Sequence, residues 1–330
     1  MKFTVLHFKN IFTGFCLIGC CTAFASDSLS CELKAYAQIE KLYHTLGTMP
    51  NRSITDRLDW ISQQFMGRPY LLGALGEGEK GRYDQYPRYR VDAFDCETYV
   101  DTVLALALAN SASTFTQCIN SIRYKDGKVS YINRNHFTSI DWNINNQKMN
   151  RLKDITLTIH DQQNKPVAVY AEALINKPNW YARKNNSSIR LEKAQKGIAA
   201  QRLSELVSKG KKLPSAISKI AYIPLRALFS RTKKPNYYLF SQIPNGSIIE
   251  IVRPNWDVSS VIGTNLNVSH LGFGIWRNKQ LYFRNASSQD NKVMEVLLTD
   301  YLKKAISSPT IKGINIQVIV PIKISPSGDC

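Results

Sequence analysis

The stretch Phe94-Asp95-Cys96-Glu97-Thr98-Tyr99-Val100 puts one cysteine where an irregular loop turns into an apolar helix. A helix start carries unpaired N–H groups and the positive end of the macrodipole, and both favour a thiolate over a thiol. That is the layout of a cysteine nucleophile, set against the commoner fate of a lone cysteine as a small buried hydrophobe. A nucleophile of this kind needs a base that takes its proton and later returns it to a leaving amine. Imidazole, with an unperturbed pKa of about 6.5, suits both steps. A third polar group should hold the ring. His270 opens Ser269-His270-Leu271-Gly272-Phe273-Gly274, where two glycines let another backbone approach. Asn285 lies one hairpin further on, and a turn at Arg277-Asn278 can bring it back towards residue 270. Asparagine can orient an imidazole without adding charge. His136, in Arg134-Asn135-His136-Phe137, is the competing base, and a histidine beside aromatics reads first as structural. His44 and His160 read as surface residues.

These groups must be positioned by recognisable elements. Residues 31–46 predict a short helix, and Ser53 with Asp56 caps a second that carries Leu58, Ile61 and Phe65. A glycine-rich loop follows Gly67-Arg68-Pro69. Its glycines at 73, 76, 78 and 81 have neither a preceding strand nor the spacing of a phosphate cradle. From Cys96 to Asn110 the chain is apolar almost all round, the mark of a buried central helix, with Asp95 placed to cap it. Residues 128–180 turn β-prone, as in Ile155–Ile159 and Val167–Tyr170. Residues 183–234 hold 14 Lys/Arg and two acids, and Ser188–Ser208 predicts a helix, so this stretch is expected as a basic helical insert. Strands are predicted at 248–252, 268–276, 279–285, 293–298 and 314–322. The fold class expected is α+β, with a buried cysteine-bearing helix packed on an antiparallel sheet.

The chain has 330 residues and a formal charge of +18. It opens with Met1-Lys2, then an apolar run from Ile11 to Phe24 and Ala23-Phe24-Ala25, which reads as a secretory signal peptide over residues 1–25. Cleavage there lowers the charge to about +16 and leaves residues 26–330 as one elaborated domain. Leu17-Ile18-Gly19-Cys20 supports the alternative of a lipid tether at Cys20. The expected location is the periplasm or cell envelope, with no transmembrane helix. A basic exported protein suits an anionic partner. Nucleic acid is not expected, because export and the lack of an aromatic-plus-glycine motif argue against it. Four cysteines survive cleavage, and Cys31, Cys118 and Cys330 can form at most one bridge, whose partners stay open. No CxxC exists and the histidines are scattered, so no metal or other cofactor is expected.

Several motifs together carry a resemblance. Pro69-Tyr70-x-x-Gly73-x-Leu75-Gly76-Glu77-Gly78, Phe94-Asp95-Cys96-x-Thr98-Tyr99-Val100, Arg134-Asn135-His136-Phe137, Tyr222-Ile223-Pro224, Pro244-Asn245-Gly246-Ser247-Ile248-Ile249, Ser269-His270-Leu271-Gly272 and Asn285-Ala286-Ser287 occur in this order. The chain resembles the NlpC-type papain-like cell-wall cysteine peptidases and, more narrowly, the N-acetylmuramoyl-L-alanine amidase-like family, over roughly residues 50–325. The resemblance implies a papain-like core with Cys96 as nucleophile, His270 as base and Asn285 as the orienting residue, where the family often has a histidine. It implies that Tyr70 lies near the nucleophile, and it draws Gly73, Asp95 and His136 to the substrate or oxyanion side. The implied substrate is an amide of bacterial peptidoglycan. The family name points to the bond between N-acetylmuramic acid and L-Ala, and the wider clan to the γ-D-glutamyl–diamino acid bond. A non-catalytic wall-binding protein on the same fold is the rival.

Overall fold

The computed structural model describes residues 26–49, 52–320 and 330. The expected signal peptide and Cys20 lie outside the described residues. The helices are α1 Ser26–Gly47, α2 Ile54–Gln63, α3 Cys96–Leu108, α4 Ala112–Arg123, α5 Asn143–Lys148, α6 Lys177–Ala182, α7 Ala199–Gly210, α8 Leu225–Leu228, α9 Tyr237–Ser241, α10 Ser259–Ile262 and α11 Leu298–Ala305. The strands are β1 Leu152–Asp154, β2 Val169–Ile175, β3 Ala216–Pro224, β4 Ser247–Asp257, β5 Asn265–Arg277, β6 Gln280–Ser287, β7 Lys292–Leu297 and β8 Gly313–Ile319. They form one antiparallel sheet in the order β2-β3-β8-β4-β5-β6-β7, with β1 paired to β8. No helix among the described residues is long and apolar enough to cross a membrane.

The apolar run after Cys96 forms α3, and Thr98 through Leu108 are all buried. A helix with no polar face must be covered on every side. α1, α2 and α4 supply one cover. The inner face of the sheet, through Ile248, Leu271, Phe273 and Ile275, supplies the other. A second core on the opposite face packs α11 and α8 against Ile249, Ile251, Phe283 and Ile316. β4 is therefore buried on both faces, which explains why Ile248-Ile249 and Ile251-Val252 are apolar on both sides of Glu250.

Two expectations need correction. Residues 183–234 are not a helical insert throughout. The stretch from Lys193 to Ile198 is a 3₁₀ turn leading into α7, and β3 joins the main sheet through β8. Ile220, Tyr222 and Ile223 on β3 bury their side chains there, and an apolar edge of that kind pairs rather than standing alone. Ile155–Ile159 forms no strand. Thr156–Thr158 makes a 3₁₀ turn after the short β1. The helix expected over Ser188–Ser208 is regular only from Ala199, so Ile189 and Leu191 lie ahead of α7 in irregular chain, yet they bury with Leu206 of α7, with Leu203 against them.

Candidate active site

Cys96 is the first residue of α3, so its own N–H has no intrahelical partner. Asp95 is the N-cap. Its Oδ1 accepts from the Thr98 N–H at 2.8 Å, and the Thr98 hydroxyl accepts from the Asp95 N–H at 2.9 Å, a closed capping box. Asp95 Oδ2 accepts from the Gly73 N–H at 2.8 Å. One carboxylate thus ties the glycine-rich loop to the helix start. The same loop approaches from a second point, where Leu71 N–H donates to Phe94 O at 2.9 Å and sets Tyr70 beside Phe94. Tyr70 and Cys96 both pack against the buried cluster that holds Phe94 and Tyr99. Tyr70, Gly73 and Asp95 are therefore assembled around Cys96.

His270 comes from the facing sheet. Its Nε2 lies 2.9 Å from Asn285 Oδ1, while Asn285 Nδ2 donates to Phe283 O at 3.4 Å. Since that amide oxygen only accepts, Nε2 carries the proton and Nδ1 keeps its lone pair. Pairing Phe273 with Arg284 and continuing one residue sets Gly272 across from Asn285. A Cβ on Gly272 would sit 2.8 Å from the Asn285 Cβ and 2.6 Å from Arg284 O. The missing side chain is what lets Asn285 lean diagonally onto His270. The turn of this hairpin falls at Asn278-Lys279, both with positive φ, one residue after the expected Arg277-Asn278.

The backbone N–H groups of Leu271, next to His270, and of Glu97 both reach the Cys96 sulfur. Cysteine and histidine elements thus meet at one point. The charge state differs from the expectation at a helix start. Burial pushes the Cys96 thiol up, and the Asp95 and Glu97 carboxylates push the same way, outweighing the two N–H donors. Burial holds the His270 imidazole below its usual range, partly offset by the bond to Asn285. Both conditions favour a neutral thiol beside a neutral imidazole.

His136 packs among aromatic rings. Its Nε2 lies 2.7 Å from Tyr131 O, and its ring packs 4.7 Å from those of Tyr131 and Trp180. Burial and the Arg134 charge hold it well below its usual range, which keeps it neutral. The glycine-rich loop is organised around Asp84, whose carboxylate pairs with Arg134 and Arg190. A Cβ on Gly76 would lie 2.5 Å from Asp84 Oδ1, so this glycine serves close packing.

Sequence reasoning missed two features beside His270. Ile251 pairs with His270 but Val252 pairs with Val268, which leaves Ser269 as an extra residue in a β-bulge. Bulges re-aim neighbouring side chains. Tyr301 of α11 stacks on the His270 ring, centroids 6.3 Å apart and planes 22° from parallel. Only the fold brings α11 there. No spacing signal points to it.

Comparison with known proteins adds a family. A model described as N-acetylmuramoyl-L-alanine amidase-like matches residues 60–311. The chain belongs to the N-acetylmuramoyl-L-alanine amidase-like family. A search of curated proteins found no match. Among solved structures, this amidase-like chain is similar to a protein from Legionella pneumophila str. Philadelphia 1. They are 60% identical with a TM-score of 0.87, over 89% of this chain and 97% of that one. An N-acetylmuramoyl-L-alanine amidase from Bacteroides uniformis ATCC 8492 is 22% identical with a TM-score of 0.54, over 80% and 98%. A Bacteroides fragilis protein provisionally named a xylanase is 24% identical with a TM-score of 0.55, over 79% and 99%. At such identities the last two share the fold alone with the amidase-like chain.

Proposed function

We propose that this member of the amidase-like family is an exported cysteine amidase of papain-like type that hydrolyses the amide between N-acetylmuramic acid and L-Ala in bacterial peptidoglycan. The observation that carries the reading is the His270–Asn285 hydrogen bond at 2.9 Å, on strands that present Leu271 N–H to Cys96. The bond leaves His270 Nδ1 as an unprotonated base on an oriented ring. Cys96 Sγ attacks the carbonyl carbon as its proton passes to Nδ1. The tetrahedral intermediate collapses, the C–N bond breaks, and the amine leaves with that proton. Water then adds to the thioester, giving its proton to Nδ1, and the C–S bond breaks to release the acid and restore the thiol. The free N–H of Cys96 is suited to hold the oxyanion. A neutral starting pair makes His270 a general base in the attack rather than one half of a preformed ion pair. The leader read from the sequence of residues 1–25 and the basic character of the chain support action on an anionic wall polymer in the cell envelope.

Digestion of purified peptidoglycan tests the reading. Wild type is expected to release stem peptides with a free L-Ala amine, and Cys96→Ala at least about a thousandfold less. Equal release by both would end the cysteine mechanism. Fragments ending in γ-D-Glu would move the cut to the γ-D-glutamyl–diamino acid bond.

A further inference from the structure

Beside His270 the sheet carries a guanidinium that no acid matches. Arg123, Arg134, Arg190, Arg277 and Arg284 each pair with an Asp or Glu. Arg253, at the outer end of β4, has only hydroxyl partners. Its Nε donates to Ser269 Oγ at 3.0 Å and its Nη1 to Thr310 Oγ1. The guanidinium carbon lies 4.5 Å from the Trp256 ring centroid. Among the described residues no carboxylate forms an ion pair with it. Arg253 is half-buried. A guanidinium partly stripped of water and left without a countercharge is a ready receptor for a carboxylate, and its remaining N–H donors stay in a fixed plane.

Its position says which carboxylate. Ser269 is the bulged residue that immediately precedes His270. Arg253 bonds Ser269, and Tyr301 stacks on His270. Arg253 thus lies on the His270 side of the nucleophile. In the proposed reaction His270 hands its proton to the departing amine, so the departing fragment occupies that side. We propose that Arg253, held over Trp256 and bonded to Ser269 and Thr310, binds a carboxylate of the departing peptide, which for the muramoyl–L-Ala bond is the α-carboxylate of the γ-linked D-Glu after L-Ala. This assignment rests on the proposed amidase reading and deepens it.

Two matched substrates test it: N-acetylmuramoyl-L-Ala-D-Glu with its γ-carboxyl blocked as an N-methylamide, and the same compound with the D-Glu α-carboxylate also converted to a carboxamide. Wild type is expected to prefer the carboxylate about tenfold to a hundredfold in kcat/KM, mainly through KM. Arg253→Gln should lose that factor, so that its ratio of kcat/KM between carboxylate and carboxamide falls to about one. Wild type that cuts both equally well overturns the Arg253 assignment and leaves the amidase reading intact. That comparison uses no variant, so it survives a failure of Arg253→Gln to fold. A second arm measures binding of L-Ala-D-Glu γ-N-methylamide and its α-carboxamide to the Cys96→Ala protein by calorimetry. Binding that needs the carboxylate and disappears with Arg253→Gln supports the assignment even where neither substrate is cut, a result that would overturn the amidase reading alone. Equal binding of the two dipeptides, or binding of neither, overturns the assignment.

Discussion

At the scale of single residues, the site depends as much on an absent side chain as on those present. Cys96, His270 and Asn285 were legible because each stands in a short motif of distinctive type and order. Gly272 was legible only as a small residue that lets a backbone approach. The structure gives it a specific task, since Asn285 reaches His270 across the space a Cβ would fill. Gly272→Ala is therefore expected to displace the Asn285 amide and lower kcat on muropeptides by roughly tenfold to a hundredfold, the cost of a small misplacement of reacting groups. The check is steady-state kinetics alongside thermal unfolding, and unchanged kcat would remove the orienting role of Asn285. Thiol ionisation was not legible. The helix start argues for a thiolate, but neighbours distant in sequence supply the burial that prevails at Cys96.

At the scale of elements, periodicity located α3 and most of the sheet, because those segments bury one continuous apolar face. It failed where burial and partner came from elsewhere. β3 looked like part of a polar helical insert until its partners β2 and β8 were known. Ile155–Ile159 alternates like a strand, but the Asp154 carboxylate accepts from the Thr156 N–H at 2.8 Å and folds the segment into a turn. β4 also holds a carboxyl group that periodicity cannot explain. Glu250 is fully buried, and one carboxylate oxygen accepts from Asn143 Nδ2 at 3.2 Å while the other has no partner. Burial raises its carboxyl from 4.5 to about 8. A raised folded pKa contributes stability that is complete below the unfolded value and lost as pH climbs towards the folded one. Stability should therefore fall between about pH 4.5 and pH 8 through this group. Glu250→Gln, which cannot ionise, should stabilise the protein by roughly 1–3 kcal/mol at pH 8 and leave it unchanged below pH 4.5. Urea unfolding at both pH values measures this, and a stabilisation equal at the two would contradict it.

At the scale of the whole molecule, remote parts of the chain hold the cysteine helix against the sheet. Arg284, fully buried on β6, pairs with Glu295 of β7 and Asp59 of α2, which fixes the strand that carries Asn285. A disulfide joins Cys118 of α4 to Cys330, 212 residues apart, and leaves Cys31 and Cys96 free. Closing so long a loop restricts the unfolded chain, so Cys118→Ser is expected to cost about 2–4 kcal/mol, and reductant should reproduce the loss in wild type. A Cys118→Ser variant as stable as wild type, measured by urea unfolding, would show that the bridge does not constrain the fold. By itself the sequence determined which residue types could do chemistry, the helix that presents Cys96, the strands that present His270 and Asn285, and the family. Those are local facts, carried by motif order and by the period of apolar residues. Only the tertiary structure decided the disulfide pairing, the place of β3, the bulge at Ser269, the aromatic cover from Tyr301, the lack of an acid partner for Arg253 and the burial of the thiol. Each depends on which distant groups come into contact and how much water they exclude, and no spacing along the chain records that.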